Sequence, residues 1–357
     1  MTTPYLSIDL AKIEHNARAI TSLCGAKGIR VTGVTEGTCG NPDVAKAMLR
    51  GGVAGIADSR LENIRRMQAA GVEAPFMLLR LPPLSGVDQV IGTAAISLNS
   101  ELRVLRGLSS AARGRHQVHD VIMMVDLGDL REGIWPAELI SGVREALKLP
   151  GIRIRGLGTN LSCFGGVVPA EDNMKQLVCL VEEVEQTFGI TLDVISGINS
   201  SGLELVAAGA MPARVNHARI GEAILLGRET IHRMPWPDTH QDAFLLHAEV
   251  LELKNKPSLP VGIRNQDAFG ALPAFEDRGN VLRALLNLGR EDVDVAGIAP
   301  LDPRLRILGA SSGYLILDVS AIQGSIRTGD ELAFSMNYSA LLAAMTSEYV
   351  KKRTLLS

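Results

Sequence analysis

Between residues 29 and 221 the chain repeats one alternation eight times: a short apolar, β-branched run, then a stretch of helical periodicity. The runs are IRVTGVTE (29–36), VAGIADS (53–59), APFMLLR (74–80), AAISLN (94–99), HDVIMMVDL (119–127), IRIRGLGTNL (152–161), LDVISGIN (192–199) and ARVNHARIG (213–221). Strands that are apolar along their length are buried on both faces, the condition of a parallel sheet with helical crossovers. Intervening segments such as PDVAKAMLRGG and SELRVLRGLSSAARG start at Pro or Ser and stop at Gly, as helix capping requires. Eight such units predict an α/β fold with a (β/α)8 barrel. An amphipathic helix at about 9–25 precedes the first strand. A doubly wound open sheet would carry GxGxxG after its first strand, and none is there.

The alternation stops at HRMPWPDTHQD (232–242), whose prolines and polar residues predict a linker. Beyond it, AEVLELKNKPSLPVG, VLRALLNLG, LRILGASSGYLILDVS and ELAFSMNYSALLAAM are strand-like pieces between Gly, Pro and Asp turns. The expected division is a barrel over 1–232 followed by a smaller β-rich C-terminal domain over 240–357. Composition then narrows the function classes. Of 357 residues, 46% are hydrophobic and 21% charged, enough for a packed core and unlike a disordered chain. A net charge of −3 argues against nucleic-acid and polybasic membrane partners, which need a concentrated positive field. Cys24, Cys39, Cys163 and Cys179 show no CxxC spacing, so a reduced, cytoplasmic setting is expected. The opening MTTPYLSIDLAKIEHN is too charged for a signal peptide, and no apolar run reaches the ~18 residues of a membrane span. The seven histidines do not cluster at metal spacing, so no metal is expected.

In such a barrel the reactive groups gather at the C-terminal ends of the strands. Those ends offer Glu36, Asp58, Arg80, Asn99, Asp126 with Arg131, Asn160, Asn199 with Ser200, and Arg219 with Gly221. A polar residue where a strand meets water is ordinary, so the set matters more than any member. Two turns stand out: GINSSG (197–202) and RIGEA (219–223), consecutive strand-to-helix connections whose free N–H groups suit a phosphate. Simple helix capping would account for either turn alone. DLGDLREG (126–133) places Arg131 in a glycine-flanked loop, either to fork onto a carboxylate or phenolate or to pair with Asp129 or Glu132.

These motifs carry a family likeness. PYLSIDLAKIEHNA, GTCGNPDVAKAML, ADSRLENI, MMVDLGDLREG, SGINSSGLELV, ARIGEAILLGRET, KPSLPVG, DAFG, ILGASS and TSEYV occur in order over nearly the whole chain. The chain resembles pyridoxal 5′-phosphate-dependent amino-acid racemases of the alanine racemase type, and among them the alanine/ornithine racemase subfamily. The resemblance implies a barrel plus a β domain, pyridoxal phosphate as cofactor and an amino-acid substrate. It also implies a homodimer in which each small domain caps the partner's barrel mouth. By position, Arg219 is similar to the arginine that bonds the pyridine nitrogen. Ser200 and the backbone at Gly221 and Glu222 are similar to the phosphate cradle. Arg131 resembles the arginine near the cofactor phenolate, and Asn160 and Asn199 line the same mouth, Asn160 where alanine racemases place a histidine.

One departure alters the expected chemistry. The family's first barrel strand ends in the lysine that forms the Schiff base, whereas this chain reads Val34-Thr35-Glu36-Gly37. A carboxylate cannot make that link, so covalent attachment at residue 36 is not possible. Three readings follow: a racemase scaffold whose lysine has been replaced, a divergent isomerase in which Glu36 itself moves a proton, or a non-catalytic cofactor-binding protein or sensor. The family's second base is a tyrosine in GYxDG, but the corresponding Asn287–Asp292 stretch has none. Tyr314 and Tyr338 are the candidates in the small domain. Tyr314 also follows GASSG, where ornithine-type relatives carry polar, charged residues, so the resemblance does not fix a diamino-acid substrate.

Overall fold

A computed structural model of the chain describes residues 3–355. Two compact units form: Leu10–Gln241, and the segment before it together with the chain from Asp242 onward. In chain order the strands begin with β1 (Tyr5–Asp9), followed by β2 (Arg30–Val34), β3 (Gly55–Asp58), β4 (Phe76–Leu78) and β5 (Ile96–Asn99). Then come β6 (His119–Met124), β7 (Ile152–Gly158), β8 (Val194–Ile198) and β9 (His217–Ile220). Strands β2 to β9 pair in sequence, all parallel, and close into a barrel where Thr32 faces Arg219 and Gly33 faces Ile220. Each lies within one of the eight apolar runs, and the helix Leu10–Gly25 matches the amphipathic segment before them.

The barrel is filled rather than hollow. Val34, Ala57, Met77, Leu98, Ile122, Met124 and Val194 form one buried cluster, with Leu79 and Ile96 packed against it. Gly156 shows how tightly β7 and β8 approach, since a Cβ there would come within 1.7 Å of the Val194 carbonyl oxygen. Capping chemistry fixes the first crossover: the Asn41 side chain accepts from the N–H groups of Asp43 and Val44, Pro42 opens the helix, and Gly51 follows its end.

The second unit is an antiparallel sheet built from β10 (Phe244–Pro257), β11 (Asn280–Leu286), β12 (Ile298–Pro300), β13 (Arg306–Ala310), β14 (Leu315–Asp318) and β15 (Glu331–Met336). A last strand, β16 (Lys351–Leu355), lies parallel to β1. The order is β12-β15-β10-β11-β14-β13, and β1 also pairs antiparallel with β10, Tyr5 opposite His247.

Both limits of the expected division move. Residues 3–9 do not belong to the barrel, because β1 finds its ladder partners in β10 and β16. The 232–242 segment is not a free linker, because it is fastened to the barrel as far as Gln241. Asn16 donates to the His240 carbonyl at 2.8 Å and accepts from the His240 N–H at 2.7 Å. The Glu229 carboxylate accepts from the N–H groups of Ile231, His232 and Met234. Nor is the last third all strand, since Tyr338–Thr346 is a helix capped by Asn337.

Candidate active site

Four neighbouring barrel strands, β7, β8, β9 and β2, bring their C-terminal ends to one corner. At its centre is Arg219, buried at 4% exposure. Its guanidinium donates to the Ser196 carbonyl and hydroxyl and, at 2.7 Å, to the Thr159 carbonyl. All three acceptors are neutral, and among the described residues no carboxylate pairs with Arg219. Burial, above all, lowers its pKa to about 10; Glu132 and Cys163 oppose that and Arg131 adds to it. The group therefore stays cationic at neutral pH. A buried cation without a carboxylate is costly to hold.

Behind Arg219 runs a chain of buried hydrogen bonds. The Ser196 hydroxyl also meets His217 Nδ1 at 2.8 Å, and His217 Nε2 meets the Thr32 hydroxyl at 2.8 Å. Burial, then Arg219 and Arg30, pushes the His217 pKa down to about 3, so its imidazole is neutral. Ser196, His217 and Thr159 were not among the residues expected from the sequence. The period of two in ARVNHARIG was the available signal, since it sets His217 on the same strand face as Arg219.

The two glycine-containing turns meet. The Ser200 hydroxyl, after β8, accepts from the Ala223 N–H at 3.2 Å, in the turn after β9. Gly221 lies against the end of β2, where a Cβ would approach Val34 Cβ to 3.2 Å. Two residues past Val34, Glu36 opens a single 3-10 turn, Glu36–Thr38, and Cys39 closes it at a left-handed φ of 55°. Glu36 is half-buried, and among the described residues its carboxylate makes no hydrogen bond or ion pair. Nearby Asp58 is fully buried and accepts from Thr35, Asn63 and the Arg60 N–H. Its pKa is raised, by burial first and by the charge of Glu36 in part.

The remaining candidates are more engaged than the sequence implied. Arg131 turns to Glu132, whose carboxylate receives both its Nε and its Nη2. The Glu222 carboxylate takes Arg233 at 2.5 Å, leaving only its backbone toward the turn. Asn199 caps its own turn through Ser201 and donates to the Leu161 carbonyl at 2.8 Å and to Cys163 Sγ at 3.5 Å. Asn160 accepts from Asn199 at 3.3 Å, while its own buried Nδ2 has no partner. Tyr314 is 50% exposed between β13 and β14, and Tyr338 begins the helix of the second unit.

Among the described residues, the ends of β2, β7, β8 and β9 carry no lysine. Lys46 donates to the Ala70 carbonyl, Lys148 pairs with Glu145 and Lys175 with Glu171. Lys27 precedes β2, and Lys12 sits in the helix Leu10–Gly25. Among the described residues no group of three His, Cys, Asp or Glu could hold a metal. The four cysteines are free.

The family model for the alanine racemase N-terminal domain matches residues 8–229. The chain belongs to the alanine racemase family. It is 42% identical to an ornithine racemase of Acetoanaerobium sticklandii over 353 residues, 99% of each chain. It is 38% identical to a lysine racemase of Thermotoga maritima, over 99% of this chain and 98% of that one. An alanine racemase structure from Bacillus anthracis superposes with a TM-score of 0.77 at 15% identity, covering 100% of this chain and 96% of the other. A D-threonine aldolase from Filomicrobium marinum superposes at 0.72 and 15% identity, covering 98% and 90%, so the fold alone does not name the reaction. Family membership makes pyridoxal phosphate the expected cofactor. The corner's chemistry fits it: Arg219 is a buried donor, the orphaned Asn160 amide awaits an acceptor, and the turns after β8 and β9 meet through Ser200 and Ala223.

Proposed function

We propose that the chain is an amino-acid racemase scaffold that holds its cofactor without a covalent link, because Glu36 stands in the place of the family's lysine. What supports this reading is the contrast at the corner: Arg219 is buried among neutral acceptors and the two turns meet, while Lys46, Lys148 and Lys175 are engaged elsewhere and, among the described residues, the ends of β2, β7, β8 and β9 carry no lysine. Arg219 would face the ring nitrogen, and Ser200 with the 221–223 backbone would take the phosphate. When bound, the cofactor supplies the electron sink that acidifies the amino acid's Cα proton. Glu36 cannot supply the amine through which the family's lysine acts, so racemisation by that route is lost. A second reading is favoured by the half-buried, unpaired Glu36 carboxylate, which is free to accept a proton itself.

Borohydride reduction with added pyridoxal phosphate, followed by peptide mass spectrometry, tests the first reading. Cofactor should be taken up without being trapped at the barrel mouth; trapping on a mouth lysine overturns the proposal. Glu36→Lys should then trap it at residue 36 and bring α-proton exchange on a panel of amino acids. Exchange that is present in the parent and vanishes in Glu36→Lys assigns Glu36 as the acid–base group.

We further propose a cytoplasmic homodimer. Val261, Ile263 and Leu272 on the long β10–β11 connection expose 94%, 106% and 75% of their surface, apolar area that a second copy would cover. Light scattering on the full chain checks the mass. Among the described residues no helix is long and apolar enough to cross a membrane.

A further inference from the structure

We propose that this pocket selects the amine form of the cofactor: a phosphorylated pyridine bearing an aminomethyl group, as in pyridoxamine 5′-phosphate, over forms with an uncharged substituent. The inference rests on the pocket reading above and deepens it by naming the ligand.

Three demands converge at the corner. The Ser200–Ala223 contact joins the two turns read above as the phosphate cradle, and Arg219 is the donor read above as facing the ring nitrogen. Glu36 adds the third. Its carboxylate is half-buried beside Asp58, itself fully buried, and among the described residues no cation pairs with it. The neighbouring lysines are spent elsewhere, Lys46 on the Ala70 carbonyl, and Arg66 donates to the Cys39 carbonyl. An aldehyde or hydroxymethyl group set against Glu36 meets the carboxylate with its own oxygen, and only a hydroxyl can donate at all. An ammonium meets it with a charge-assisted hydrogen bond. Replacing an amine by a carboxylate therefore inverts the polarity that the site prefers in its ligand. Phosphate at one end, an unprotonated ring nitrogen in the middle and an ammonium at the other describe the amine form. The strand pairing supports the spacing: β2 and β9 are neighbours in the barrel, and Gly221 touches Val34, two residues before Glu36.

The test is calorimetric titration of the purified full chain with pyridoxamine 5′-phosphate and with pyridoxine 5′-phosphate. The second carries a hydroxyl in place of the ammonium and condenses with no lysine. The amine form should bind about tenfold or more tightly than the alcohol. Glu36→Gln, with an unchanged circular dichroism spectrum, should bring that ratio to about one. Arg219→Leu should weaken both ligands and leave the ratio intact. Equal affinities in the parent, or a ratio that survives Glu36→Gln, overturn the preference while leaving the pocket standing. Failure of both ligands to bind at millimolar concentration overturns the preference and the pocket together.

Discussion

Arg219 holds a positive charge where three neutral oxygens, and no carboxylate, receive it. Burying a charge is costly, and apolar replacements of buried charge are frequently neutral or stabilising. Arg219→Leu is accordingly expected to leave the unliganded barrel as stable as the parent or up to about 2 kcal/mol more stable. The same change should weaken binding of the phosphorylated pyridine by at least about tenfold. Urea titration and calorimetry on one preparation separate the two effects; a large loss of stability would make Arg219 a structural residue. The arginine was legible in the sequence through its RIGEA motif, and its supports were not. Ser196 and His217 are ordinary strand residues until β8 and β9 pair, and only that pairing puts a hydroxyl between imidazole and guanidinium.

Asp129 organises a whole segment. Its two carboxylate oxygens accept from the N–H groups of Ser162, Cys163, Phe164 and Val167 at 2.9–3.2 Å, and its carbonyl accepts from Gly165. The connection after β6 thereby holds the one after β7, with Cys163 and its neighbours Asn160 and Asn199. Although burial acts against it, this ring of donors holds the carboxyl below its ordinary 3.8. A depressed carboxylate stabilises the fold above 3.8 and loses that contribution as pH falls through its lower folded value. Asp129→Asn turns acceptors into a donor facing donors, at a cost of about 2 kcal/mol. Hydrogen exchange should show amides 162–167 released while β6 and β7 stay protected; uniform protection would contradict this role. Such clasps are invisible in sequence, because the two loops are more than thirty residues apart. The barrel strands were legible because each carries its own apolar run. β1 was missed because both its partners lie over 230 residues away, and the helix Tyr338–Thr346 because YSALLAAMT is apolar on nearly every side.

At the scale of the molecule, two buried histidines in the barrel wall tie its stability to pH. His217 lies between Thr32 and Ser196, and His119 meets the Ser97 hydroxyl at 2.8 Å. Burial lowers His119 to about 4, with Asp120 opposing, and lowers His217 to about 3. The unfolded chain binds these protons near 6.5 and the folded barrel does not, so the unfolded state carries more protons between 6.5 and the folded values. Stability is therefore complete above 6.5 and drains as pH falls, by about 2 kcal/mol per histidine at pH 5. Carboxylates held low, such as Asp129, begin to lose their contribution only below 3.8, so the two sources separate along the pH axis. Trp135 and Trp236 both belong to the barrel unit, and their fluorescence follows its unfolding apart from that of the second sheet. Urea midpoints read this way should fall steadily from pH 7 to pH 5, and His119→Gln with His217→Gln should flatten the slope. A flat parent profile, or an unchanged slope in the double variant, would show that the imidazoles take up their protons inside the folded barrel.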